Sequence, residues 1–291
     1  MSDKKGKIYL VATPIGNLDD MTYRAIETLK NVDLVAAEDT RVSKRLLTHF
    51  GIDKPMLSYH AHNYIVAGKK IEKYINEGKD IAVISDAGTP CISDPGEELV
   101  RWAVENGVER TIIPGASAVI SALAVSGLST LRFVFEGFLP VQTKERKERL
   151  LDISNEQRTI ILYEAPHRIL DTLRDLKRRL GDRSIVIVRE LTKRYEEIQN
   201  TTISEALKYY EENSPRGEYV LIVEGKSPEE VIKEKAMKWD DTSIEDHLNI
   251  YLKEGLKRNE AIKKVATDRN LSRKEVYDYI SEVSNATDKA D

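Results

Sequence analysis

Short apolar runs recur along this chain, and each ends abruptly in small or turn-forming residues before a helical pattern begins. Ile81-Ala-Val-Ile84 shows it best, running into Ser85-Asp86-Ala-Gly88-Thr89-Pro90 and then Cys91-Ile-Ser-Asp94-Pro-Gly96. A near-continuous apolar run is what a strand needs when helices cover both faces of a parallel sheet. The small residues after it let backbone approach a ligand closely, and Asp86 offers an acceptor at the carboxyl end of the strand, where α/β sheets bind small molecules. The same segment also reads as an ordinary strand-to-helix connection, with Asp94-Pro95-Gly96 starting the helix.

The strand-loop-helix rhythm repeats. Lys7–Ala12 breaks at Thr13-Pro14-Ile15-Gly16-Asn17 before a helix from Thr22 to Leu29, and Leu34–Ala37 ends in Glu38-Asp39-Thr40-Arg41 before a helix over Ser43–His49. Strand Met56–Tyr59 precedes a helix over Tyr64–Asn76, and a helix over Glu97–Glu105 stops at Gly107. Strand Arg110–Ile113 meets Pro114-Gly-Ala-Ser117-Ala118, which opens a helix of Ala, Val, Ile, Leu and Ser ending at Gly127; so apolar a helix is expected to be buried. Strands Phe133–Phe135, Thr159–Tyr163, Ile185–Arg189 and Tyr219–Val223 then alternate with helices Lys144–Ile153, Ile169–Leu180 and Ser204–Glu212. The pattern predicts two consecutive α/β domains, 1–127 and 128–226, a linker over 227–241, and a small helical module over 242–291 whose end is disordered.

Composition narrows the function classes. With 291 residues, 41% hydrophobic and 32% charged, the chain can bury a real core and is not a disordered polymer. No apolar run approaches the ~20 residues of a membrane span, and the first residues lack the apolar core of a signal peptide, so a cytoplasmic protein is expected. The single cysteine, Cys91, excludes an internal disulfide framework and a cysteine-based zinc site. Of five histidines only His60 and His62 are close in sequence, and no metal is expected. Gly225-Lys226-Ser227 imitates the end of a phosphate-binding loop, but Val220 stands where its first glycine belongs and no helix is evident after it. No Gly-x-Gly-x-x-Gly follows the first strand.

The loops Thr13–Asn17, Ser85–Pro90, Pro114–Ala118, Tyr163-Glu-Ala-Pro-His-Arg168 and Arg189-Glu-Leu-Thr-Lys193, with Glu38–Arg41 and Gly217-Glu-Tyr-Val220, resemble the tetrapyrrole methylase superfamily. Within it they look like the branch of small-subunit rRNA (cytidine-2′-O)-methyltransferases. The resemblance implies S-adenosylmethionine held in a cleft between the two α/β domains, with Pro14 as floor and Asp86 accepting from its polar end. Gly88, Thr89, Ser117 and Ala118 would supply backbone groups, Tyr163 and Ala165 would line the adenosine side, and Gly217 and Tyr219 would bring backbone from the second domain. It further implies a homodimer acting on 16S rRNA in the small ribosomal subunit.

Transfer to a ribose hydroxyl needs alignment above all and a proton acceptor second. Glu164, His167, Glu190 and Lys193 are the candidates for the acceptor, and Arg41 and Arg168, as permanently charged forks, suit phosphate. In the tail, Thr242–Glu245 and Ser272–Glu275 read as capping boxes and Asn259 as a cap, giving helices over Ile244–Glu254, Glu260–Arg269 and Arg273–Val283. Ile244, Leu248, Leu252, Ile262, Val265, Ala266, Val276 and Ile280 would share a core, leaving Lys257, Arg258, Lys264 and Arg273 for RNA in a helix-turn-helix-like module. Two other readings stand beside this one: a small-molecule methyltransferase of the tetrapyrrole or diphthamide-precursor kind, and a noncatalytic nucleic-acid-binding regulator.

Overall fold

The structure, a computed structural model, describes residues 5–287. Strands β1 (Ile8–Val11), β2 (Leu34–Ala37), β3 (Met56–Ser58), β4 (Ile81–Ile84) and β5 (Arg110–Ile113) form a sheet in the order β3-β2-β4-β1-β5. Every pairing in it is parallel. Helices α1 (Tyr23–Asn31), α2 (Thr40–His49), α3 (Tyr64–Asn76), α4 (Glu97–Glu105) and α5 (Ala118–Ser126) follow the strands in turn. All residues of β2 and β4 are buried because each face has its own apolar cluster. Ile81 and Val83 pack with Ile71, Ile75 and Leu99 on one side, and Ala82 and Ile84 with Ala25, Leu29 and Leu47 on the other. A sheet with all strands parallel places the loops after β1, β2, β4 and β5 on one edge, and the site is built there.

The second sheet is mixed. It comprises β6 (Phe133–Phe138), β7 (Thr159–Glu164), β8 (Ser184–Arg189), β9 (Glu197–Thr202) and β10 (Tyr219–Val223), with helices α6 (Thr143–Ser154), α7 (Ile169–Leu180) and α8 (Ile203–Glu212), in the order β6-β7-β10-β8-β9. The last strand runs antiparallel between β7 and β8 and is buried throughout. Val220 therefore sits beside both Tyr163 and Val188 in register, which brings the start of β10 to the ends of two earlier strands. Sequence periodicity gave no sign of β9: this edge strand pairs only with β8, and Glu197-Ile-Gln-Asn-Thr-Thr202 carries little apolar surface.

The expectation that α5 is buried holds for one face only. Val119, Ala122 and Leu123 pack on Val186, Val220 and Ile222, whereas Ile120 is 54% and Val125 48% exposed. An all-apolar helix shows no polar stripe, so its own pattern could not reveal that it has a second, uncovered face.

The chain divides into two compact units, Met1–Arg149 with Thr159–Glu224, and Leu150–Arg158 with Gly225–Asp291. Both sheets belong to the first. The second contains α9 (Pro228–Met237), α10 (Ile244–Lys253), α11 (Arg258–Asp268) and α12 (Arg273–Thr287). A helix thus does follow Gly225-Lys226-Ser227, contrary to the sequence reading, because Ser227 and Glu230 form a capping box and Pro228 sits at the first helical position. Lys226 is nevertheless buried and pairs with Glu234 and Asn155, so it cradles no phosphate. The cap of α10 is Ser243, bonding the Asp246 amide, rather than Thr242. Asn259 is no cap: α11 starts one residue before it, and its side chain accepts from the Tyr277 hydroxyl at 2.8 Å. The Ser272–Glu275 box is present, and Leu248, Ile262, Val265, Ala266 and Val276 form the module core, with Ile244, Leu252 and Ile280 against it. The end expected to be disordered lies outside the described residues. Among the described residues no helix is long and apolar enough to cross a membrane.

Candidate functional site

The loops after β1 and β4 are tied together by main-chain bonds. Thr13 donates its amide to the Gly88 carbonyl at 2.8 Å, Gly88 returns its own to Thr13 at 3.1 Å, and the Thr13 hydroxyl donates to the Ser85 carbonyl at 3.2 Å. Gly88 has φ +81, and a side-chain carbon there would stand 3.2 Å from Ile15 Cγ2. Its contribution is therefore closeness, because its own N–H and C=O are already engaged by Thr13. Thr89 donates its hydroxyl to the Ala116 carbonyl at 3.4 Å, linking this corner to the start of α5. Ser117 begins that helix without a side-chain cap, and the first-turn amide of Val119 donates to Tyr163 instead.

One end of the resulting space is acidic. Asp86 Oδ1 accepts the Asp39 amide at 3.1 Å, and Asp39 in turn caps α2. Glu38 and Asp94 lie beside it. Burial, then the charge of Asp86, pushes the Glu38 carboxyl above its ordinary value, and burial with the charges of Glu38 and Asp86 pushes Asp94 up to about 6. Such crowding of like charges in a cleft marks a candidate functional site.

The opposite wall comes from the second sheet. Tyr163 packs against Phe135 and Phe138, with ring centroids 4.9 and 5.6 Å away. Burial and then the charge of Asp94 push its hydroxyl up to about 12, outweighing the opposite effect of the Val119 amide that it accepts, so it stays protonated. Tyr219, next to Val220, turns its ring onto Tyr210 and accepts the Arg216 amide at 3.0 Å, so what it offers the space is main chain.

Glu164 is fully engaged. Its oxygens accept the Ala165 amide at 2.9 Å and the Thr172 hydroxyl, Arg168 Nε lies 3.5 Å away, and Thr172 is held by Arg146, itself paired with Asp175. Arg168 also donates to the Leu139 carbonyl, so this guanidinium is turned inward.

The loop between β8 and β9 closes the space. Lys193 Nζ donates to Glu190 at 2.9 Å and Glu218 at 2.8 Å, and Glu190 also accepts the Glu218 amide at 2.9 Å. Burial alone would lower the ammonium, but the bonds to Glu218 and Glu190 outweigh it and hold Lys193 above its ordinary value. Burial acts to raise Glu190, yet Lys193 and the Glu218 amide bring it below its ordinary value. Gly217 makes this clamp possible: at φ +80, an added carbon would lie 2.5 Å from Glu190 Cγ. Gly16 does the same from the first sheet, where a side chain would meet Lys193 Cγ at 2.6 Å.

These groups enclose a cavity of about 570 Å³. Of the sequence-predicted ligand residues, Asp86, Gly88, Thr89, Ser117, Ala118, Tyr163, Ala165 and Tyr219 line it, while Pro14 and Gly217 do not. Of the proton-transfer candidates, Glu164, His167 and Lys193 line it and Glu190 stands behind Lys193. Glu218 and Val220, within the stretch expected to bring backbone from the second domain, line it too, as do Glu38, Ile92, Asp94, Phe138, Val188 and Leu191, which were not singled out as site residues. Position after a strand was a usable signal for Glu38, but Asp94 reads as a helix start and Val188 as core. Arg41 is elsewhere, on a groove along α2 with Lys44, Arg45 and His49, and pairs with Asp39 at 2.7 Å. Lys257, Arg258, Lys264 and Arg273 are exposed in the second unit, Lys264 with its ammonium 4.6 Å from the Tyr251 ring centre. Arg269, one of the basic residues of that stretch, instead turns inward to His247 at 3.2 Å and the Ser243 carbonyl at 3.0 Å.

The family described as tetrapyrrole (corrin/porphyrin) methylases matches residues 7–207 of this chain. Ribosomal RNA small subunit methyltransferase I of Bacillus subtilis (strain 168) is 48% identical over 273 residues, covering 94% of this chain and 93% of the relative. The protein of the same name from Haemophilus influenzae is 52% identical over 229 residues, covering 78% and 81%. Among solved structures, diphthine synthase superposes with a TM-score of 0.58 at 16% identity, covering 76% of this chain and 90% of that one. Cobalt precorrin-4 methyltransferase superposes at 0.56 with 21% identity, covering 75% and 94%. At such identities the two structures speak for the fold.

Proposed function

Because the chain belongs to the tetrapyrrole methylase family, we propose that it transfers a methyl group from S-adenosylmethionine to small-subunit ribosomal RNA, at the 2′-hydroxyl of a cytidine in the decoding region. The observation that carries this reading is one cavity with Glu38, Asp86 and Asp94 at one end and Tyr163, Phe138 and Leu191 along its wall. The residues present fit the donor. The cavity's volume falls within the range of small-molecule pockets, the carboxylates suit a cationic amino-acid end, the aromatic wall suits adenosine, and the glycine at position 88 keeps the floor open. When bound, S-adenosylmethionine supplies an already activated methyl group.

The chain's own task is to align the ribose hydroxyl and take its proton. Lys193, held protonated by Glu190 and Glu218, is a fixed cation at the cavity wall and a poor acceptor. Glu164 has both oxygens committed, and Glu190 is occupied behind Lys193. That leaves His167, exposed at the cavity, as the proton acceptor among the four candidates. The test is transfer from labelled donor to isolated small subunits, free rRNA and a porphyrin precursor in parallel, with the product nucleoside identified. Expected are 2′-O-methylcytidine from the RNA arms and a loss of about 10²- to 10⁴-fold in kcat for His167→Gln; labelling of the porphyrin alone would overturn the RNA reading.

The relatives' names favour ribosomal RNA over a tetrapyrrole. The reading also assigns the work to the cytoplasm, where small subunits assemble, and a homodimer as the working unit. Support for the dimer comes from Ile120 and Val125 on α5 together with Ile112 on the edge strand β5, all exposed in the single chain. Light scattering that returns a monomer at micromolar concentration would remove it.

A further inference from the structure

The loop between β8 and β9 does more than carry Lys193. Its base is closed by an ion pair of 2.6 Å between Arg189 and Glu197, the last residue of one strand and the first of the next. Inside it, Lys193 donates its amide to the Glu190 carbonyl at 2.9 Å, Glu196 to the Lys193 carbonyl at 3.1 Å, and Thr192 to the Glu196 carboxylate at 2.6 Å. Two of its residues that are not glycine, Glu190 and Thr192, stand at positive φ, 51° and 67°. Strain of that kind persists only where the surroundings over-determine it, and it gathers at ligand clamps. The surroundings here are Gly217 beneath Glu190 and Gly16 against Lys193.

What this braced loop holds outward is Arg194 and Tyr195. Tyr195 is 69% exposed, and the Arg194 guanidinium carbon lies 5.6 Å from its ring centre. A lone exposed aromatic is ordinary on a protein surface. This one is two residues beyond Lys193, a cavity-lining residue, hence within about 7 Å of chain from the cavity wall. A ribose whose hydroxyl enters a cavity must leave helical stacking, and a flat surface at the rim replaces the lost stack.

Resting on the RNA reading above, we propose that Tyr195 and Arg194 form a stacking platform for an unpaired nucleobase next to the methylated nucleotide. The ring takes the base face, and the guanidinium stacks with it or meets a neighbouring phosphate. The partner is single-stranded RNA within the small subunit.

The experiment uses the full chain with Tyr195→Ala, Tyr195→Phe and Arg194→Ala, read by binding to isolated small ribosomal subunits, methyl-transfer kinetics and donor calorimetry. Expected for Tyr195→Ala is a loss of subunit affinity of about five- to a hundredfold, carried in KM, with donor affinity unchanged. Tyr195→Phe should stay within about twofold of the parent, since a phenyl ring stacks as well. Parent-like binding by Tyr195→Ala would overturn the platform. Equal damage from Phe would do so too, by assigning the effect to the hydroxyl, and a parallel fall in donor affinity would make the loop merely structural. If the parent protein neither binds nor methylates subunits, the RNA reading itself fails and the platform with it.

Discussion

Asp94 carries two opposite pH dependences. Its carboxyl is pushed up to about 6 by burial first and by Glu38 and Asp86 next. For folding, a raised acid is stabilising below its unfolded value near 3.9, and that contribution is lost as pH rises through about 6. For a cationic donor the sign reverses, because Asp94 gains its charge over the same interval. Donor affinity measured by calorimetry should rise from pH 5 to pH 7 and level off above. In Asp94→Asn the rise should flatten; a rise that survives the substitution belongs to another group.

At the scale of elements, the β8–β9 loop and the start of β10 form one clamp, and Gly217 is its smallest part. Gly217→Ala combines positive φ with a clash of 2.5 Å against Glu190 Cγ. Gly107→Ala has positive φ, +62, but open space around it. Chemical denaturation should therefore show a cost of roughly 1–2 kcal/mol for Gly107→Ala and a larger one, about 3 kcal/mol or more, for Gly217→Ala, where side-chain displacement adds to backbone strain. Equal costs would mean that Glu190 moves aside freely and that the clamp does not hold Lys193. The same logic explains why Gly217 appears in a site-like motif without touching the cavity: its task is to let Glu190 reach Lys193.

For the whole molecule, the formal charge of −4 sets the problem of binding a polyanion. Under the RNA reading attraction must be local, and the proposed source is the exposed Lys257, Arg258, Lys264 and Arg273 of the second unit. In the full chain, reversing Lys257 and Arg258 to Glu should weaken rRNA binding and reduce the salt slope by about 0.7 for each phosphate that is no longer neutralised, leaving donor affinity unchanged. A salt slope equal to that of the parent would assign those residues to solvent.

Much of this protein was legible from residue order alone. The buried strands, the helix starts at Thr22 and Ser272 and the core of the C-terminal module follow from local rules, because periodicity and caps act between near neighbours; the residues proposed to face a ligand came from the family resemblance instead. Tertiary structure alone decided the rest. It inserted β10 between β7 and β8 and so set Val220 beside Tyr163 and Val188. It gathered Glu38, from the loop after β2, with Asp86 and Asp94, from the loop after β4, and their mutual repulsion is complete only when those two loops meet. It also committed Glu164 to Thr172 and Arg168 while leaving His167 exposed. A residue's type fixes which chemistry it can do, but its partners fix which it does, and here they come from strands and loops far apart in sequence.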